Sequence, residues 1–214
     1  MPGKKLQIPY IEFPGAAGVL EKQGVMAEIN EVNWPDFSYQ PEVVLFCGHT
    51  SDEILLNYRV KESHVRALNN EINAEIYKDS CVEFFISTGD NRFYNFEFNC
   101  IGTSYAAYGK REDRKLLDKA VVSRIRTEST LGNKAVSTRE IDSSWELTIA
   151  IPFSIFQEKE FLNPGRHTFY ANFYKCGDEL PRPHFLSWNP IRTEKPDFHQ
   201  PEYFGEISFL NKHP

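Results

Sequence analysis

The chain has 214 residues, a formal net charge of −6, and is 41% hydrophobic and 14% aromatic. That length suits one domain (residues 1–214) with a sizeable core, and its many Phe and Tyr, punctuated throughout by Gly and Pro, fit an all-β domain. The acidic balance excludes the clustered Lys and Arg that neutralise nucleic-acid phosphates, and no apolar run approaches the roughly 20 residues that span a bilayer.

Residues 1–40 read as a lead-in segment interrupted by Pro2, Pro9, Pro14 and Pro35, with a short strand at 25–32 and Trp34 after it. No signal peptide is visible at its start. The localisation stays open: the chain as written reads as cytoplasmic, and an extracellular or periplasmic site is the alternative if a leader was removed beforehand. Residues 41–47 read as a buried strand. In 53–61, Ile54, Leu56, Tyr58 and Val60 alternate with Leu55, Asn57, Arg59 and Lys61, a strand with one core face. Asn69, Asn70 and Asn73 make 62–75 a loop with a helical turn at most.

Residues 77–102 organise the rest. Two runs of period two flank Thr88-Gly89-Asp90-Asn91, which predicts a β-hairpin. Val82, Phe84 and Ile86 share a face with Tyr94, Phe96, Phe98 and Cys100. Cys81, Glu83 and Phe85 share the other with Asn95, Glu97 and Asn99. The first face must meet another sheet, which leaves the second for function.

A short strand is predicted at 105–108, then a solvated loop in which Glu112 and Asp113 break up Lys110, Arg111, Arg114 and Lys115. Strands at 120–126 and 134–141 are predicted to pair across Leu131-Gly132-Asn133. Residues 145–151 form a strong strand, and Pro152 opens one helical turn. Further strands are predicted at 167–176, 184–188 and 207–210. Nine to eleven short strands without sustained helices predict a two-sheet β-sandwich.

Cys47, Cys81, Cys100 and Cys176 show neither C-x-x-C nor metal-ligand spacing. Opposite faces exclude a Cys81–Cys100 disulfide, so four reduced thiols are expected. Asp79, Asp90 and Asn91 offer oxygens to a structural calcium, although no clear motif supports one. Haem ligation would need a Met and a His, and only Met1 and Met26 exist. His184, Asp197 and His199 lie in a Pro-rich stretch of the stiffened kind that often walls a site. No cofactor is expected.

If the turn centres on Asp90, Glu83 and Glu97 sit directly opposite each other. Facing like charges are unfavourable, so something must offset them: a cation such as Arg59 or Lys175, a metal, a shared proton, or the hydroxyls of a ligand.

Four pieces in order carry a family resemblance: E-I-L-L-N-Y-R-V-K-E, D-S-C-V-E-F-F-I, W-E-L-T-I-A-I-P-F, and L-S-W-N-P followed by F-G-E-I-S-F. Over residues 41–210 the chain resembles the family 9 carbohydrate-binding modules and the wider DOMON-like sandwiches. The resemblance implies a jelly-roll-like sandwich that binds a mono- or oligosaccharide without catalysis, the sugar lying between two rings. Those slots fall on Tyr77 and Trp188, with Glu83, Glu97, Asn99 and Lys175 hydrogen-bonding hydroxyls. Glu97 stands where some members carry a basic residue. The alternatives are a glycoside-active enzyme using Glu83 and Glu97, and an interaction domain without a small ligand.

Overall fold

Alternating apolar and polar side chains make one-faced strands that are stable only when layered, and most of this chain is written that way. The structure, a computed structural model, describes residues 3–12, 18–141 and 144–212; Met1, Pro2 and Pro14 lie outside the described residues. In chain order its first elements are β1 (Lys5–Ile8), α1 (Val19–Gln23), β2 (Val25–Glu28), β3 (Glu31–Val32), β4 (Glu42–His49), β5 (Glu53–Lys61) and β6 (His64–Ala67). The hairpin strands follow as β7 (Cys81–Ser87) and β8 (Arg92–Asn99), then β9 (Ser104–Lys110), β10 (Lys115–Leu116) and α2 (Lys119–Val122). The rest are β11 (Arg126–Ser129), β12 (Val136–Glu140), β13 (Trp145–Pro152), β14 (Thr168–Cys176), β15 (Phe185–Ser187) and β16 (Gly205–Phe209).

The result is an all-β sandwich. The larger sheet runs β1-β16-β14-β7-β8-β9-β10, and β15 and β3 extend it from β14. The smaller runs β11-β13-β5-β4-β2, and β6 pairs with β12 separately. One edge of β14 is divided: residues 168–171 pair with β16, and 174–176 with β15. Between the layers lie Phe84, Phe96 and Phe173 from the larger sheet and Leu45, Tyr58, Leu147 and Ile149 from the smaller. Phe84 and Phe173 stack with centroids 5.2 Å apart.

The hairpin forms with Gly89 (φ 101°) and Asn91 (φ 65°) in the left-handed region, which accounts for those two residue types in the turn. Two expectations fail. Residues 120–126 are not a strand: Asp118 Oδ1 accepts from Ala120 N at 2.7 Å and caps the short helix α2. The partner of β12 is instead β6, a strand inside the segment expected to be a loop.

Face assignment in the larger sheet follows the sequence, but its outer face is not open. Cys81, Phe85, Phe93 and Tyr174 on that face are covered by Trp34, Ile76, Ile191, Phe198 and Phe204, a second and smaller apolar cluster. Chain from the 190s to Phe204 thus crosses the outer face as an arm, and what is not filled beneath it is the cleft.

Candidate functional site

The cleft measures about 210 Å³. Its floor is Glu83 of β7, Glu97 of β8 and Cys176 of β14. Tyr77, Asp178 and Phe185 form one side, and residues 196–199 of the arm form the other. Pockets that enclose drug-sized ligands run to about 300–1,000 Å³, so this one suits a sugar ring rather than a wrapped chain.

The expected register holds: Glu83 pairs with Glu97 across β7 and β8, which sets their Cβ atoms about 4.5–5.5 Å apart. Both carboxylates are almost fully buried. Burial, and then the charge of Glu97, holds Glu83 well above the usual carboxylate range. Burial pushes Glu97 up to about 7, against the pull of the Asn95 amide and the Arg114 guanidinium. Asn95 Nδ2 donates to Glu97 Oε1 at 3.0 Å. Glu97 Oε2 and Asn95 Oδ1 are buried without a hydrogen-bond partner among the described residues, as is Arg114 Nε. Arg114 lies over the Phe93 ring, 5.3 Å from its centroid. Unpaired buried acceptors are costly in a fold and expected where a ligand supplies the donors.

The arm is tied down by charge. Asp197 bonds Arg111 at 2.6 Å, the backbone N–H of His199 at 2.8 Å and Gln200 Nε2 at 2.8 Å. The His199 ring bond, despite partial burial, keeps Asp197 far below the ordinary carboxylate range. The His199 ring lies 5.2 Å from that of Phe85. Across the cleft, burial pushes Asp178 up to about 6, and Tyr77 is half-buried with its hydroxyl donating to Glu75 Oε1 at 2.9 Å.

Of the seven residues expected at the site, the structure brings Tyr77, Glu83 and Glu97 together and places the other four elsewhere. Trp188 is 4% exposed in the inter-sheet core, its ring 5.6 Å from that of Phe173. Parity is the reason: along β15 and just beyond, Leu186 and Trp188 face the core, whereas Phe185 faces the cleft. Lys175 likewise points between the sheets. Its Nζ lies 2.9 Å from Glu62 Oε2 and 2.8 Å from both His184 Nε2 and the Cys176 carbonyl.

Asn99 is spent on a loop, donating to Asn69 O (2.7 Å) and Asp79 Oδ2 (3.1 Å) and accepting from Thr103 N (3.0 Å). Arg59 sits on the smaller sheet between Glu21 (2.9 Å) and Glu146 (3.2 Å). Neither Arg59 nor Lys175 therefore offsets the floor carboxylates. Asp79 and Asp90-Asn91 lie at opposite ends of β7, so they do not converge on one ion.

Phe185, Phe198 and Asp178 also line the cleft, and Asn95 and Arg114 act on Glu97 from beside it. Strand parity pointed to two of them: Asn95 shares its face with Glu97, and Phe185 opposes Trp188. Phe198 comes with the Pro-rich arm, whose Asp197 and His199 do wall the cleft as that composition suggested. Asp178 and Arg114 lie in loops and carried no local signal.

The sequence profile of the family described as Carbohydrate-binding family 9 matches residues 17–209. A crystal structure from Bacteroides uniformis ATCC 8492, of a protein provisionally classed as carbohydrate-binding, is 40% identical with a TM-score of 0.90, covering 97% of this chain and 99% of that one. A family 9 carbohydrate-binding module from Caldicellulosiruptor kristjanssonii in complex with cellotriose shares the fold at 12% identity and a TM-score of 0.62, over 98% of this chain and 95% of that one. The glucose complex from the same organism gives 13% and 0.61, over 99% and 100%. Among curated proteins, none matches.

Proposed function

The chain belongs to carbohydrate-binding family 9, and from that premise we propose that its cleft holds one sugar ring without chemical change. The observation that carries this reading is the facing pair Glu83 and Glu97, buried on the floor of an aromatic-walled cleft, with Glu97 Oε2 unpartnered among the described residues. Sugar hydroxyls supply the donors these acceptors need. The apolar face of a pyranose packs on rings, here Tyr77 and Phe185 on one side and Phe198 on the other. Asp178 and Asp197, which line the cleft, are placed to select among hydroxyl patterns.

An opposed pair of glutamates, with Cβ atoms about 4.5–5.5 Å apart, also suggests the roughly 5–5.5 Å carboxyl spacing of a retaining glycosidase. Catalysis requires them on either side of the scissile bond, however, and both lie in one floor, so binding is the better reading. Affinity in the micromolar to millimolar range is expected, because hydroxyls exchange water for protein at small net gain.

The test is calorimetric titration of the purified chain with glucose, cellobiose and cellotriose, followed by a wider sugar panel. Glu97→Gln, which keeps the shape and removes the charged acceptor, should weaken binding about 10-fold or more, the value of one charge-assisted hydrogen bond. If no sugar in the panel gives heat or chemical-shift change, the proposal fails. Turnover of an aryl glycoside that Glu83→Gln abolishes would replace it with the enzymatic reading.

A further inference from the structure

Three side chains of the β7–β14 floor converge in a way that sugar binding does not require. Cys81 and Cys176 are directly opposed across the two antiparallel strands, and Glu83 projects from the same face two residues along. Cys176 Sγ lies 3.1 Å from Glu83 Oε1. One ligand atom from each of the three residues falls within 4.8 Å of the others, and all three residues are buried. Tetrahedral zinc, with Zn–S about 2.3 Å and Zn–O about 2.0–2.2 Å, holds its ligands about 3.5–3.8 Å apart, so small side-chain adjustments suffice.

A second observation is independent of the thiols. Glu83 and Glu97 face each other without an ion-pair partner among the described residues, and Glu97 Oε2 is a buried acceptor bonded to nothing described. A cation beside Glu83 offsets the facing pair and leaves Glu97 Oε2 to the donors of a ligand in the cleft. The geometry points to a site for a thiophilic divalent cation, Zn²⁺ or Cd²⁺ in kind, formed by Cys81 Sγ, Cys176 Sγ and a Glu83 carboxylate oxygen. Its fourth position opens towards the cleft, with Glu97 alongside. Two sulfur ligands select against Ca²⁺ and Mg²⁺. Loading exchanges the two thiol protons, and any proton carried by Glu83, for one cation, and the protons leave to solvent. Nothing is oxidised or reduced.

The test uses the full chain with its thiols kept reduced. Titration with Co²⁺, a spectroscopic stand-in for zinc, should saturate at one equivalent with thiolate-to-cobalt charge-transfer absorption, and Zn²⁺ should displace it. The double variant Cys81→Ser/Cys176→Ser should lose that absorption, and Cys176→Ser alone should weaken Zn²⁺ uptake by at least about 10-fold, the loss that even an outer-shell change produces. Wild-type crystals exposed to Cd²⁺ give a readout that needs no variant: anomalous density between the two sulfurs and Glu83. Cobalt bound without thiolate absorption, absorption that survives in the folded Cys81→Ser/Cys176→Ser variant, or no cadmium density at these three residues would each overturn the inference. Sugar titration of the metal-free chain is a separate measurement, so failure of either reading is visible without the other.

Discussion

Tyr77 and Trp188 are the two rings expected to clasp a sugar, and the structure assigns them opposite consequences. Trp188→Ala empties a core position that is 4% exposed and packed against Phe173. Truncations of buried Phe or Trp to Ala cost about 3–5 kcal/mol. For a chain of this length each kcal/mol lowers the melting midpoint by about 2–4 °C, so a fall of roughly 6–20 °C is expected. Sugar affinity, measured well below the lowered midpoint, should stay within about 2-fold of wild type, a few tenths of a kcal/mol. Tyr77→Ala should do the reverse. It removes a half-buried cleft wall, costs about 1 kcal/mol of stability and weakens sugar binding about 10-fold, or roughly 1.4 kcal/mol. Thermal and urea unfolding beside calorimetry on the same preparations reads both quantities. A Trp188→Ala protein of undiminished stability that no longer binds sugar would refute the reasoning, because the indole would then belong to the cleft.

Other outcomes follow from buried groups away from the floor. Lys175→Met strands the carboxylate of Glu62, 1% exposed and 2.9 Å from the ammonium; a loss of about 3–5 kcal/mol in urea unfolding is expected, with sugar affinity unchanged. Gly205→Ala would put a Cβ 2.6 Å from both the Trp188 ring and the Lys4 carbonyl, and should cost about 1–3 kcal/mol as overpacking. His184 accepts from Lys175 at Nε2, so its Nδ1–H donates to Arg182 O; burial first, and then the Lys175 charge, brings its pKa down to about 2. An unfolded histidine titrates near 6.5, so the unfolded chain binds the extra proton. The contribution of His184 is therefore complete above about pH 6.5 and is lost as pH falls, by up to about 1.4 kcal/mol per pH unit. Comparing unfolding free energies of wild type and His184→Gln from pH 7.5 to 5 cancels the carboxylates common to both. A difference that does not change with pH would show that His184 is not held neutral.

Much of this architecture was legible because period-two patterning is a local property. The hairpin, the division of its faces and the Glu83–Glu97 register follow from side-chain parity and one turn. The strand 53–61 matches β5 from end to end. What escaped depends on partners far along the chain. His64–Ala67 is too short to show a period, and it becomes a strand only because β12 lies beside it. A resemblance-based slot put Trp188 at the cleft, yet its parity with Leu186 placed it in the core, and that local signal was the better guide. Lys175 is expected at the floor from the resemblance and from its charge, and Arg59 from its charge; the faces from which they project carry them to Glu62 and to Glu21 instead. The outer cluster under the arm was hidden because Phe85 and Phe93 look misplaced on a polar face until Phe204 and its neighbours cover them.

The divided edge of β14 has a consequence for the order in which this protein comes to exist. Both floor carboxylates are present once residue 99 has been made, but the rings of Phe185 and Phe198 and the strand that anchors the arm lie far downstream of it. A polypeptide still emerging from the ribosome would carry both acidic groups on an uncovered sheet, unable to grip a ligand. The cleft is therefore a property of the hairpin and residues 185–204 together and not of the hairpin by itself.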